Sequence, residues 1–308
     1  MNPQALKAWI RPMLWLAISI QLNLKLEAAS LVVIFLLFSM LVLIPLARPT
    51  TGRKQALEEF WAVVLAAESF CFEASGGTAL MVAGWLIITW RRASTSLLAW
   101  QRAGQRDAGS LCLVAADVGP AVGAAWLMAH RANWTPWGFD PLIVLLTAAH
   151  FHHAGFTLPW MAGLNAQAKP GRWTSFSCSA VLLGVPIVAV GITCTHFGIF
   201  RFVESLGVLI LVLGALGVAL SHIRRGFEKQ CSIWTNFGFI LSGVSLSASM
   251  LLALGFGLRY LIPQYALTLP QMWSIHGMLN AFGFGMCGLQ AWRSSLTRSE
   301  RPSADQTA

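Results

Sequence analysis

The sequence predicts an all-α, polytopic membrane protein, and three observations carry that prediction. Of 308 residues, 56% are hydrophobic and 11% are charged, whereas a water-soluble domain carries roughly a quarter charged residues. Apolar runs near the ~20 residues that span a bilayer recur along the chain. Lys and Arg gather in the short segments between those runs, as the positive-inside rule requires. A mean hydropathy of +0.64 agrees. These features exclude disorder, a collagen-like repeat, a disulfide-rich secreted scaffold and an ordinary cytosolic enzyme. The net charge of +9 does not indicate nucleic acid, because the basic residues form no contiguous stripe. The six cysteines contain no CxxC pair, so neither a disulfide framework nor a zinc ribbon has support.

Taken in order, the first apolar run covers 12–23. Lys7 and Arg11 precede it as in a signal sequence, but no small-residue cleavage site follows, so it reads as an uncleaved span or an interfacial helix. A run at 28–47 comes next. The runs 59–75 and 77–90 are short and meet at Gly76–Gly77. Basic flanks at 48–54 and 91–106 require an even number of crossings between them, which two short helices or a re-entrant pair would satisfy. Longer runs follow at 109–130, 140–163, 175–196, 203–222, 236–258 and 271–292.

Counted on alternating sides, one side holds every Lys and Arg except Lys25, Arg131, Arg201 and Arg259. This bias predicts about ten spans with both termini cytoplasmic, or nine spans if the first run is interfacial. The expected organisation is one transmembrane domain over 1–292 and a disordered cytoplasmic tail over 293–308. No internal repeat points to an inverted-repeat transporter.

Ionisable residues inside spans are expensive and usually face protein or a cavity. Here they are Glu68, Glu73, Asp117, His150, His152, His153 and His276, the last followed one turn later by Asn280. Within 140–163, Thr147, His150, His153 and Thr157 fall on one helical face and His152 points roughly opposite. A single such histidine is more often interhelical glue. Three within four residues favour a site, whether metal ligands, a proton relay or acid–base groups.

His276 and Asn280 share a face, while Gly283, Gly285 and Gly288 permit close helix approach. Glu73 reads as interfacial. Asp117 precedes Gly119–Pro120, where a kink would free a carbonyl. The Ser242, Ser245 and Ser249 stripe reads as helix packing. Common depth predicts that Glu68, His150, His152, His276 and Asn280 line one pocket, with Asp117 and His153 at its edge.

The stretch Phe139-Asp-Pro-Leu-Ile-Val-Leu-Leu-Thr-Ala-Ala-His-Phe-His-His-Ala-Gly-Phe156 resembles the YndJ-like family of bacterial integral membrane proteins. His276-Gly-Met-Leu-Asn280-Ala-Phe-Gly-Phe284 is similar to that family's second hallmark. The resemblance is strongest from about 139 to the end of 271–292. It implies His150 and His152 as the paired histidines, with an aromatic residue expected where His153 stands, and it implies no established substrate or chemistry.

Two functions fit. One is a transporter of a small molecule, with proton coupling through Glu68, Asp117 and the histidines. The other is an intramembrane enzyme acting on a lipid or isoprenoid substrate, by His/Asp/Glu acid–base chemistry or with a metal held by His150, His152 or His153 and His276. Haem ligation has no supporting signature, and the cofactor is left open. The expected partners are the lipid bilayer and a lipid-like or small-molecule ligand, with no nucleic acid.

Overall fold

The computed structural model describes residues 3–23, 30–49, 52–104, 106–228 and 232–299. Lys25, Lys229, Cys231 and residues 300–308 of the expected tail lie outside the described residues. Among the described residues the fold is helical, with no strand.

The chain opens with α1 (Pro3–Asn23), followed by α2 (Ser30–Phe38), a π-helical turn at Ser39–Leu43 and α3 (Ile44–Ala47). This second unit supplies much of the core: Val32, Leu36, Leu37, Met40, Leu41 and Leu43 are all buried. Next come α4 (Arg53–Glu68) and α5 (Gly76–Ala103). The turn between them falls at 72–75, one step ahead of the glycine pair expected to form it. Ser75 sets that boundary by capping α5: its hydroxyl accepts from Thr78 N–H while Thr78 Oγ1 accepts from Ser75 N–H. Nor is α5 short. Its 28 residues extend about 42 Å, so Arg91 and Arg92 lie within the helix and not in a loop.

Helix α6 (Ala108–Arg131) starts on an Asp107 cap and runs through Pro120 without interruption. Buried Arg131 at its far end donates to the carbonyls of Ser69 (2.9 Å) and Phe72 (2.6 Å). The α4–α5 turn is thereby tied to the end of α6.

The run at 140–163, expected as one helix, is split into α7 (Pro141–His153) and α8 (Thr157–Ala168). Gly155 N–H reaches back to the His150 carbonyl at 3.1 Å, one residue further than an α-helix allows. The backbone of Gly155 also presses against Gly119 of α6, where no side chain would fit. The break sits immediately after the histidines.

Helices α9 (Arg172–His196), α10 (Phe202–Gly226) and α11 (Ile233–Gly257) follow. The last unit combines α12 (Leu269–Gln271), π-helical segments at Met272–His276 and Leu279–Met286, and α13 (Cys287–Ser299). Residues 293–299, expected in a disordered tail, are therefore helical.

Five units are long and apolar enough to cross a membrane: α6, α7 with α8, α9, α10 and α11; Leu31–Ala47 is a shorter apolar helix. At 16 residues α4 is too short to join the five, and α5 carries Arg91, Arg92 and Arg102. The fold is a multi-pass helical membrane bundle.

Candidate functional site

Three irregular units pack against one another: the α2–α3 unit with its π turn, the α7–α8 unit with its break, and the last unit with its two π segments. π-Helical turns are rare and often mark functional sites. His150, on α7, stacks against His276, in the first π segment of the last unit. Their ring centroids are 6.5 Å apart and their planes are inclined by 26°.

Hydrogen bonds fix the proton positions. A carbonyl only accepts, so His150 Nδ1–H donates to Leu146 O (3.2 Å) and His276 Nδ1–H donates to Ser249 O (3.0 Å). Each neutral ring then keeps its Nε2 lone pair. Asn280 joins the pair by donating to the His276 carbonyl (2.8 Å) and accepting from Ser249 Oγ (3.1 Å). Ser249, expected only to pack helices, thus belongs to the site.

His153 lies within electrostatic reach of His150 and His276. Its Nε2–H donates to Phe35 O at 2.9 Å, and its buried Nδ1 has no partner among the described residues. Three imidazoles therefore each have one nitrogen anchored to a carbonyl and one left as an acceptor.

His152 is different. Its ring is fully buried on the opposite face of α7 and takes a bond from Trp85 Nε1–H at 3.0 Å. An indole only donates, so Nε2 is the acceptor and Nδ1–H bonds to Ala148 O at 2.8 Å. Both nitrogens are committed. The helical-face argument, which paired His150 with His153, matches this geometry better than the family pattern does.

The single pocket expected from common depth divides. Asp117 is paired with Arg48 through both carboxylate oxygens, and the Arg48 guanidinium lies 5.0 Å from the Trp160 ring centre. Glu68 is the last residue of α4, beside the 72–75 turn and not at mid-depth, because its helix ends earlier than the apolar run does. Among the described residues no hydrogen bond or ion pair reaches the Glu68 carboxylate. His150 is also not enclosed: it is an exposed residue.

Some polar groups escaped the sequence reading. His222 is fully buried on α10, accepts from Trp292 Nε1–H (3.1 Å) and donates to Ser242 Oγ (3.0 Å), which in turn donates to Phe284 O (3.0 Å). Buried Glu204 binds Arg259 through two bonds and accepts from Thr195 Oγ1. Each lies close to the end of an apolar run, where a polar residue looks interfacial. The usable signal was the Trp and Arg elsewhere in the chain that could serve as their partners.

Among the described residues, no group of three or more His, Cys, Asp or Glu side chains is spaced to hold a metal ion. What the arrangement offers is a set of acid–base groups.

A model of the family described as YndJ-like protein matches residues 34–284. The match begins well ahead of residue 139, where the motifs start. The uncharacterized membrane protein YndJ of Bacillus subtilis (strain 168) is 29% identical over 177 residues, which cover 56% of this chain and 30% of that protein. The chain thus aligns with about a third of the relative's length. No solved structure matches. With the two histidine motifs inside a family match that covers most of its length, the chain belongs to the YndJ-like family.

Proposed function

We propose that the chain moves a small molecule across the membrane in exchange for protons, with His150 and His276 as the proton-exchanging pair and Asn280 and Ser249 holding His276 in place. The observation that carries this reading is the stacked pair itself. Each ring has a committed Nδ1 and an available Nε2, so either ring can take up a proton and give it back to a group that comes within reach. The elements that bear the pair are a π-helical segment and a helix that breaks three residues later. Such interruptions are where membrane helices adjust their backbone around a substrate. The charge-based topology, with ten crossings and both ends cytoplasmic, belongs to the same proposal. A reporter fused after residue 308 should then read cytoplasmic and one inserted near Trp134 external.

The test is reconstitution of the full chain into liposomes that contain a pH-sensitive dye, challenged with pooled amino acids, sugars and inorganic cations. A solute-dependent internal pH change in the wild type, lost in His150→Ala and His276→Ala at equal folded protein, is expected. The exposure of His150 favours a second reading, an enzyme acting on a lipid that approaches from the membrane. Mass spectrometry of the same liposomes separates the two. Modified lipid, without any solute-driven pH change, would overturn transport and establish the enzyme.

A further inference from the structure

A cavity of about 390 Å³ opens at the basic end of the bundle, lined by Arg48, Gln55, Arg92, Thr95 and Ser96 with Pro49 and Ala99. It lies apart from the histidine pair. Two buried carboxylates stand behind it: Asp117 holds Arg48, and Glu59 holds Arg92 at 2.5 Å. Neither ion pair exhausts its guanidinium. Arg48 uses Nε and Nη2, and Arg92 uses only Nη2. Arg48 Nη1 and Arg92 Nε and Nη1 therefore have no partner among the described residues, nor has Ser96 Oγ. These donors are reachable, since the Arg48 and Arg92 side chains are 35% and 16% exposed. Arg11 also lies within electrostatic reach of Glu59 and Arg92. Around Glu59, two guanidiniums, Arg92 and Arg11, thus meet one carboxylate, and the balance at this side of the cavity is positive.

A cavity rich in spare donors and net positive calls for an anion. Fixed guanidinium forks match the planar oxygen edges of a carboxylate or phosphate. A tetrahedral phosphate presents oxygens in several directions and can accept from two separate arginines and a hydroxyl at once, which a planar carboxylate does less well. Basic pockets between helices at the cytoplasmic face are where anionic headgroups settle, and the charge bias assigns this end to the cytoplasm. We infer that the cavity between Arg48, Arg92 and Ser96 is a binding site for a phosphate group, supplied by an anionic phospholipid headgroup or by a free phosphate. The site is independent of what the histidine pair does.

The test uses the full chain, wild type and Ser96→Glu. That substitution places a carboxylate among the spare donors without removing either ion pair, and Ser96→Ala controls for loss of the hydroxyl. Inorganic phosphate is titrated against chloride at matched ionic strength while thermal unfolding is followed. In parallel, protein in nanodiscs of phosphatidylglycerol mixed with phosphatidylcholine is released and its retained lipid identified by native mass spectrometry. Phosphate-dependent stabilisation identifies a free phosphate, and selective retention of phosphatidylglycerol without it identifies the headgroup. Either effect should weaken about fivefold or more in Ser96→Glu and by less in Ser96→Ala, which loses one donor and adds no negative charge. Neither phosphate stabilisation nor selective lipid retention in the wild type, or equal effects in Ser96→Glu, would overturn the site.

Discussion

His152 and His150 are two residues apart on one helix, yet the structure gives them opposite energetic roles. His152→Ala removes a fully buried ring and both of its hydrogen bonds. Trp85, itself 1% exposed, then has no partner for its indole N–H. Leaving a buried donor unmet costs roughly 1–3 kcal/mol, although hydrogen bonds between membrane helices average nearer ~0.6 kcal/mol. The cavity left by an aromatic ring adds to this, with buried Phe or Trp to Ala changes costing about 3–5 kcal/mol in all. The expected loss for His152→Ala is about 3 kcal/mol. His150→Ala gives up one bond to its own helix and one stacking contact on an open side. Exposed substitutions stay within about 0.5 kcal/mol and an aromatic pair adds about 0.5–1.5 kcal/mol, so the expected loss is about 1 kcal/mol.

The assay is reversible unfolding of the full chain in mixed micelles by increasing fractions of denaturing detergent. A 2 kcal/mol gap corresponds to roughly a thirtyfold difference in the folded-to-unfolded ratio, which such a titration resolves. Trp85→Phe supplies a further check through a double-mutant cycle with His152→Ala, in which the two losses should add to less than their sum. Equal stability of His150→Ala and His152→Ala, or full additivity of the Trp85 and His152 changes, would refute this division of roles.

Other sites give equally definite expectations. Gly119→Ala forces a Cβ against the Gly155 backbone, whose Cα would lie at 2.9 Å; it should lose about 1–3 kcal/mol by overpacking, despite the helix preference for Ala, as read from the same unfolding titration. Arg48→Gln strands Asp117, whose side chain is 4% exposed. It should lose about 2–3 kcal/mol, somewhat less than a fully buried pair because Arg48 is partly open, and adding Asp117→Asn should recover most of the loss. Asp107 caps α6, and its bond from Ser110 N–H holds the carboxyl below its ordinary range. A depressed folded value stabilises above the unfolded pKa and is lost as pH falls through the folded one. Asp107→Ala should therefore lower thermal stability by about 1 kcal/mol at neutral pH and leave it unchanged in strong acid.

Hydropathy and charge made the membrane bundle legible, because both are averages over many residues and survive local error. Boundaries were less legible where a side chain overrode the apolar pattern. Ser75 moved the α4–α5 turn by capping, and Gly155 against Gly119 broke a run that hydropathy reads as continuous. At the site, the spacing of His276 and Asn280 correctly placed them together, since Asn280 bonds the His276 carbonyl directly. Spacing could not place Glu68, because the end of α4 is set by a turn tied to Arg131, sixty-odd residues away in sequence. Nor could it show that Asp117 had a partner, because Arg48 lies on an element distant in sequence.

What separates a structural histidine from a chemical one here is the kind of group that holds it. An indole N–H occupies the imidazole's only lone pair, so His152 with Trp85 and His222 with Trp292 are neutral rings with nothing left to accept. A carbonyl occupies the N–H instead, so His150, His153 and His276 each retain a basic nitrogen. In a medium where an unmet polar group is expensive, leaving three such nitrogens together is difficult to justify on stability alone. His153 Nδ1 makes the point most sharply, being buried with no partner among the described residues. Replacing His153 by Phe, the aromatic expected at that position, removes the orphaned acceptor while keeping a ring of similar width. If the cluster serves only packing, His153→Phe should be neutral or stabilising and leave His150 and His276 unaltered. If the three nitrogens share a proton, the ring-nitrogen resonances of His150 and His276 should shift their titration in His153→Phe, while those of His152 and His222 stay fixed. Unmoved resonances at all four positions would reduce the cluster to helix packing.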